Sequence, residues 1–345
     1  MKITSEYFGT TNDGVRIERY VLTDGRCSAG ILTLGGIIQS LCVPDQHGTA
    51  TDVVLGFDSV SDYEAQDCYI GALLGRCANR MSKGNISVGG KELSLAWNDA
   101  GRCHLHGGNV GFNAKVWTPE VSEDQLILHN TSCDGEEGYP GEMHISVAYQ
   151  LKDQALSLHY RAVCDQDTIC NLSNHVYFNL SGHSSGEVGR QNIQVFADYY
   201  TPLAEDHAPN GDIQPVAGTP LDLRTMQTFS DHWDDTFPQM TLAGGYDHNY
   251  LIAGKGMRRF AKAVSEETGI CMTTESDMPG MQLYSGNFLC HLPQGKNQTI
   301  YGRRCGFCIE TQYTPNAVYH PAFTSPKLGA GQPYKHTTVY RFSNR

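Results

Sequence analysis

Residues 145–162 read Ile145-Ser146-Val147-Ala148-Tyr149-Gln150-Leu151-Lys152-Asp153-Gln154-Ala155-Leu156-Ser157-Leu158-His159-Tyr160-Arg161-Ala162. Apolar side chains fall on Ile145, Val147, Tyr149 and Leu151, and again on Leu156, Leu158, Tyr160 and Ala162, with Lys152-Asp153-Gln154 between the two runs. Successive side chains of a strand point to opposite faces, so this period of two predicts a hairpin with one face on a core. Similar runs occupy 28–43, 52–57, 125–131, 168–180, 192–197, 260–264, 270–275, 282–288, 306–312 and 337–342. Sustained 3.6-residue periodicity is nearly absent; 59–67 and 231–237 each have the pattern of a turn or two of helix.

Many short strands joined by turns, with 37 glycines in the chain, predict an all-β fold: a large antiparallel β-sandwich or barrel with very little helix. A parallel α/β sheet would need long crossover helices that the sequence does not offer. No Pro/Ser-rich linker or internal repeat divides the 345 residues, and 1–345 is expected to form a single domain.

The formal charge of −12 is spread along the chain without any Lys/Arg block. That balance argues against nucleic acid or an anionic membrane as partner and favours a neutral small molecule. No apolar stretch reaches the roughly 18 residues that span a bilayer, and the polar start at Met1 lacks a leader core, so a cytoplasmic protein is expected. The 12 cysteines are too sparse for a disulfide scaffold, and most read as reduced core residues. Cys305 and Cys308 form a Cys-x-x-Cys in a strand-like run, where positions three apart face opposite ways and chelate poorly.

Two histidines and a glutamate stand out in three separated stretches: His106 in Leu105-His106-Gly107-Gly108, His175 in Asn174-His175-Val176-Tyr177, and Glu310 in Cys308-Ile309-Glu310-Thr311. An imidazole and a carboxylate brought together supply an acid and a base without metal or cofactor. With ordinary pKa values of about 6.5 and 4.3, His⁺ and Glu⁻ coexist mainly between those limits, a window that an adjacent carboxylate widens upwards. Gly107-Gly108 permits positive φ or close backbone approach; no nucleotide-binding fingerprint accompanies it.

Five segments, Gly75-Arg76-Cys77-Ala78-Asn79-Arg80, Leu105-His106-Gly107-Gly108, Asn174-His175-Val176-Tyr177-Phe178-Asn179-Leu180, Gly245-Tyr246-Asp247-His248-Asn249 and Ile309-Glu310-Thr311-Gln312, resemble the signature segments of the aldose 1-epimerases, or galactose mutarotases. The resemblance runs from about Phe8 to Phe342. It implies the galactose mutarotase-like supersandwich, no cofactor, and interconversion of the α and β anomers of a free hexose, galactose or glucose. It further implies that His175 protonates the ring oxygen while Glu310 takes the C1 hydroxyl proton. Asn79, Arg80, His106, Asp247 and Gln282 match positions that hold the sugar hydroxyls. Trp97, Tyr177 and Phe288 are candidates to pack on a sugar face, His104 reads as support, and His248 and Asn174 remain open between site and core. Two other functions compete: epimerisation of phosphorylated hexoses, which needs further cations, and sugar binding without catalysis, which needs no matched acid and base.

Overall fold

The structure is a computed structural model describing residues 1–345. The expected hairpin is present: β1 (Met143–Lys152) pairs antiparallel with β2 (Ala155–Cys164), from Met143↔Cys164 to Lys152↔Ala155. Its two-residue turn places Asp153 and Gln154 at φ 51° and 60°, the positive-φ pair whose twist suits a tight hairpin. Ile145, Val147, Tyr149 and Leu151 are buried, while the alternating residues are half-buried or exposed. The period of two has therefore set the face as expected.

The hairpin lies within a nine-stranded antiparallel sheet. In spatial order the strands are Thr118–Val121, Leu126–Ser132, β1, β2, Tyr334–Asn344, Ile270–Ser276, Arg258–Val264, Asn192–Val195 and Gln227–Thr228. A second sheet of five strands contains β3 (Asp247–Leu251), β4 (Gly280–Tyr284) and β5 (Cys308–Gln312), side by side in that order. A third, also of five strands, is built from 2–52, beginning with Lys2–Thr10 and Arg16–Thr23, a pair that the periodicity did not bring out. A 58-residue apolar cluster joins Ile145, Val147 and Leu158 of the large sheet to Tyr250, Met281, Leu283 and Ile309 of the second. Each such side chain contributes on the order of 1.5–3 kcal/mol by leaving water.

The α-helical content is two short pieces. Val60–Glu64 falls inside the expected 59–67, capped by the Ser59 hydroxyl accepting from the Asp62 N–H at 3.2 Å. The expected helix at 231–237 is corrected: Phe229–Asp231 forms one 3₁₀ turn, and the α-helix starts only at Pro238 and runs to Ala243. Proline suits the first helical position and disfavours helical backbone at the residue before it. No helix is long and apolar enough to cross a membrane.

Two expected strands are also corrected. Of 52–57, only Asp52 is strand, as the last residue of Ala50–Asp52, followed by a bridge from Val54 to Phe178. Of 168–180, only Thr168–Ile169 and Ser173–Asn174 pair regularly. Both stretches run between sheets and are buried on both sides, so their backbones bond irregular partners, as in Leu55 N–H to Tyr177 O and His175 N–H to Ala72 O.

Candidate active site

The strands β3 to β5 carry two unlike faces. Register pairs Asn249 with Gln282 and Gln282 with Glu310, while Asp247 pairs with Tyr284 and Tyr284 with Cys308. These polar residues therefore share one face, while Tyr250, Met281, Leu283 and Ile309 project from the other into the apolar core. The polar face is not solvent-exposed: Asp247 is 6% exposed, Gln282 and Glu310 2% each. Asp247, Tyr284 and Glu310 of this face floor a cleft of about 670 Å³ that is also lined by Asn79, Arg80, His106 and His175.

Local structure delivers the remaining side chains. His175 follows Ser173–Asn174 and is held by backbone bonds in both directions, its N–H to Ala72 O at 2.8 Å and its carbonyl accepting from Gly71 N–H at 3.0 Å. His106 sits at φ 51° and Asn79 at φ 63°, left-handed conformations that persist only when surroundings impose them. Asn98 imposes the first: its Nδ2 donates to the carbonyls of Leu105 (3.0 Å) and Gly108 (2.9 Å), and its Oδ1 accepts from Leu105 N–H (2.8 Å). Gly107, at φ 97°, is obligatory here, since a Cβ would lie 1.9 Å from the Gly75 carbonyl oxygen.

In the cleft, His175 Nε2 lies 3.7 Å from Glu310 Oε1. Gln282 Nε2 donates to Asp247 Oδ1 at 2.7 Å, and Arg80 reaches Asp247 Oδ2 at 3.6 Å while its Nε donates to Asp99 at 2.8 Å. The two carboxylates thus aim one guanidinium across the cleft. Glu310 Oε2 and Gln282 Oε1 are buried with no protein partner, and the first belongs to a residue that lines the cleft, where a ligand's hydroxyl can meet it.

Burial governs the acid–base pair. The imidazole of His175 is pushed down to about 3, chiefly by desolvation of its charged form. The Glu310 carboxyl is pushed well above its usual range, first by desolvation and then by Asp247. Loss of water thus favours the uncharged form of each partner, imidazole for His175 and carboxylic acid for Glu310. This corrects the expected widening of the His⁺ window by a neighbouring carboxylate. A single proton shared by such a pair can reside on either partner.

His106, His175 and Glu310 offer donor atoms all within 4.8 Å of one another, a set of the two-histidine, one-carboxylate kind. His106 does not fit that role. Its Nδ1 accepts from the Asn79 N–H at 3.1 Å, which puts the ring proton on Nε2 and makes that nitrogen a donor rather than a ligand. Such a donor suits a hydroxyl oxygen.

Of the seven residues singled out in sequence, His175, Glu310, Asn79, Arg80, His106 and Asp247 line one cleft, and Gln282 adjoins it through its hydrogen bond to Asp247. Of the aromatic candidates, Tyr177 and Phe288 line it; Trp97 does not, being half-exposed and packed over Gly84. His104 is turned away as expected, bonding Ala96 O and the Tyr139 hydroxyl. Asn174 bonds Tyr160 and Tyr340 inside the core, and His248 is buried on the opposite face of β3 from Asp247. Sequence reasoning missed Tyr69, Asp99 and Tyr284 at the cleft. Alternation from Gln282 points to Tyr284; the loop residues Tyr69 and Asp99 carry no periodic signal.

Fold and site together define a large antiparallel β-sandwich whose cleft brings a histidine and a glutamate together. Residues 18–341 match the model of the family described as Aldose 1-epimerase, and the chain belongs to that family. It is 38% identical to human galactose mutarotase over 99% of this chain and 98% of that protein. It is 32% identical to the Escherichia coli aldose 1-epimerase over 94% and 95%. The solved galactose 1-epimerase of Lactobacillus acidophilus superposes with a TM-score of 0.87 at 25% identity, covering 100% of this chain and 99% of that one.

Proposed function

We propose that this chain interconverts the α and β anomers of free hexoses, galactose or glucose, with His175 and Glu310 as the acid–base pair. The observation that carries it is the 3.7 Å approach of the His175 and Glu310 side chains on a cleft floor where Glu310 Oε2 is left unpaired. With sugar bound, His175 Nε2–H gives its proton to the ring oxygen as Glu310 takes the C1 hydroxyl proton. The C1 to ring-oxygen bond breaks, C1 rotates, and closure on its other face returns both protons.

The burial supports this chemistry. Opening converts His⁺ and Glu⁻ into neutral imidazole and carboxylic acid, so two charges disappear from a desolvated site as the ring opens. His175⁺ is a stronger acid there, and Glu310⁻ a stronger base, than either is in water. Arg80, Asp247, Gln282, His106 and Asn79 are assigned to the sugar hydroxyls: Arg80 and His106 Nε2 as donors, Gln282 Oε1 as acceptor, Asn79 through its Nδ2, its Oδ1 accepting from Arg80 N–H. Because these groups come from 79 to 310, the catalytic unit is the whole chain taken as one domain.

A phosphorylated sugar suits the cleft less well. Its arginines, Arg80 and Arg102, both face Asp99, and Asp67 and Asp247 add further acidic groups. Polarimetry on freshly dissolved α-D-galactose tests the assignment: the wild-type chain accelerates decay to the anomeric equilibrium, and His175→Ala and Glu310→Gln each lose it. Full activity in both variants would end this account.

A further inference from the structure

We propose that Cys308 is a positioning residue for the reaction: its sulfur accepts the Nδ1–H of His175 and thereby leaves Nε2 as the nitrogen that exchanges a proton with the substrate. The inference rests on the acid–base role assigned to His175. Cys308 is fully buried, and its Sγ lies 3.4 Å from His175 Nδ1. It precedes Glu310 by two residues on β5, so strand alternation puts thiol and carboxylate on one face. One strand thus addresses both edges of a single imidazole, sulfur at Nδ1 and carboxylate at Nε2.

Among the side chains around the ring, only the sulfur addresses Nδ1, where the backbone carbonyl of His175 itself is the other acceptor. Tyr177 and Tyr284 pack on His175 with ring centroids 4.9 and 6.0 Å away, but their hydroxyls are engaged with Cys68 O and Phe288 N–H. Tyr69 and His106 meet the ring at 6.0 and 5.4 Å between centroids. The charged neighbours, Glu310, Arg80 and Asp247, belong to the Nε2 side and the cleft.

Sulfur is an unusual choice with a chemical consequence. A carboxylate at Nδ1, the common orienting partner of a catalytic histidine, stabilises the imidazolium and weakens it as an acid. A thiol is a weak, neutral acceptor, and burial keeps Cys308 protonated by pushing its pKa well above the usual range. It therefore orients the ring without placing a compensating charge at Nδ1. The proton on Nδ1 stays in place throughout; only the Nε2 proton moves, to the ring oxygen on opening and back on closure.

Nitrogen-15 NMR of the full-length chain reads the tautomer directly, with His175 assigned among the 14 histidines by its absence from His175→Ala. The neutral ring is expected to show protonated Nδ1 and bare Nε2; the opposite tautomer overturns the proposal. Kinetics supply the second arm. Cys308→Ser should stay within about threefold of wild-type kcat, whereas Cys308→Val, which packs without accepting, should lose roughly 10- to 100-fold in kcat with little change in KM. Cys308→Asp should move the acid limb of kcat/KM upward by about one pH unit or more. A Cys308→Val enzyme with wild-type kcat and an unmoved acid limb would refute the assignment while His175→Ala remained inactive. An active His175→Ala would instead remove the underlying acid–base account, whatever the tautomer.

Discussion

Lowering the pH gives the sharpest test of how burial sets this site. In water the His175 imidazole would charge near pH 6.5 and the Glu310 carboxylate near 4.3. In the cleft the imidazole is held down to about 3, equivalent to roughly 5 kcal/mol against its charged form. The working pair carries one proton, so activity is lost on the acid side only when a second proton enters, giving imidazolium and carboxylic acid together. The sign follows: a base with a depressed value stays neutral as pH falls and charges only at about 3. With a midpoint of about 3, roughly nine-tenths of kcat/KM should survive at pH 4; with an ordinary carboxylate midpoint of about 4.3, only roughly one-third. Polarimetry between pH 3.5 and 7, corrected for the spontaneous reaction and paired with circular dichroism to verify folding, measures the limb. An acid midpoint between 4 and 5 in folded protein would refute the argument that desolvation governs the pair.

Three other outcomes are expected. Gln282→Leu removes a donor to Asp247 Oδ1 at 2.7 Å and an unpaired acceptor, and should lower kcat/KM by about 10- to 100-fold, since a hydrogen bond to a charged group contributes roughly 1.5–3 kcal/mol. Gly107→Ala forces a Cβ to 1.9 Å from the Gly75 carbonyl oxygen at φ 97° and should cost roughly 2–5 kcal/mol in chemical denaturation. Stability should fall as pH drops from 7 toward 5. His106, His175 and His248 are neutral in the fold, their values lowered by burial, and each takes up a proton on unfolding below about 6.5, worth about 1.4 kcal/mol per pH unit. Glu310, raised by burial, opposes them by one proton above about 4.3. Calorimetric melting at several pH values reads the net slope; a melting temperature that rises on acidification would contradict it.

How much the chain announces in advance differs from residue to residue. Ile145 to Ala162 has a turn of fitting length and an apolar side chain at every second position, so local rules alone predict its hairpin. Glu310 is suspicious in isolation because it interrupts an apolar run in a strand. His175 is harder, since the 168–180 stretch reads as one strand but is broken into two short bridges whose backbone partners, such as Ala72 and Gly71, lie about a hundred residues away. Asp99 and Tyr69 enter the cleft from loops, where no period marks a facing side chain.

Alternation along β3, β4 and β5 determined which residues share a face, because side-chain direction in a strand is a property of the backbone. It did not determine whether that polar face meets water. Only the packing of distant loops over it decided that Asp247, Gln282 and Glu310 lie buried, and with that decided the charge state of the acid–base pair. Orientation is a short-range consequence of the chain's own geometry, whereas desolvation depends on everything folded around a group.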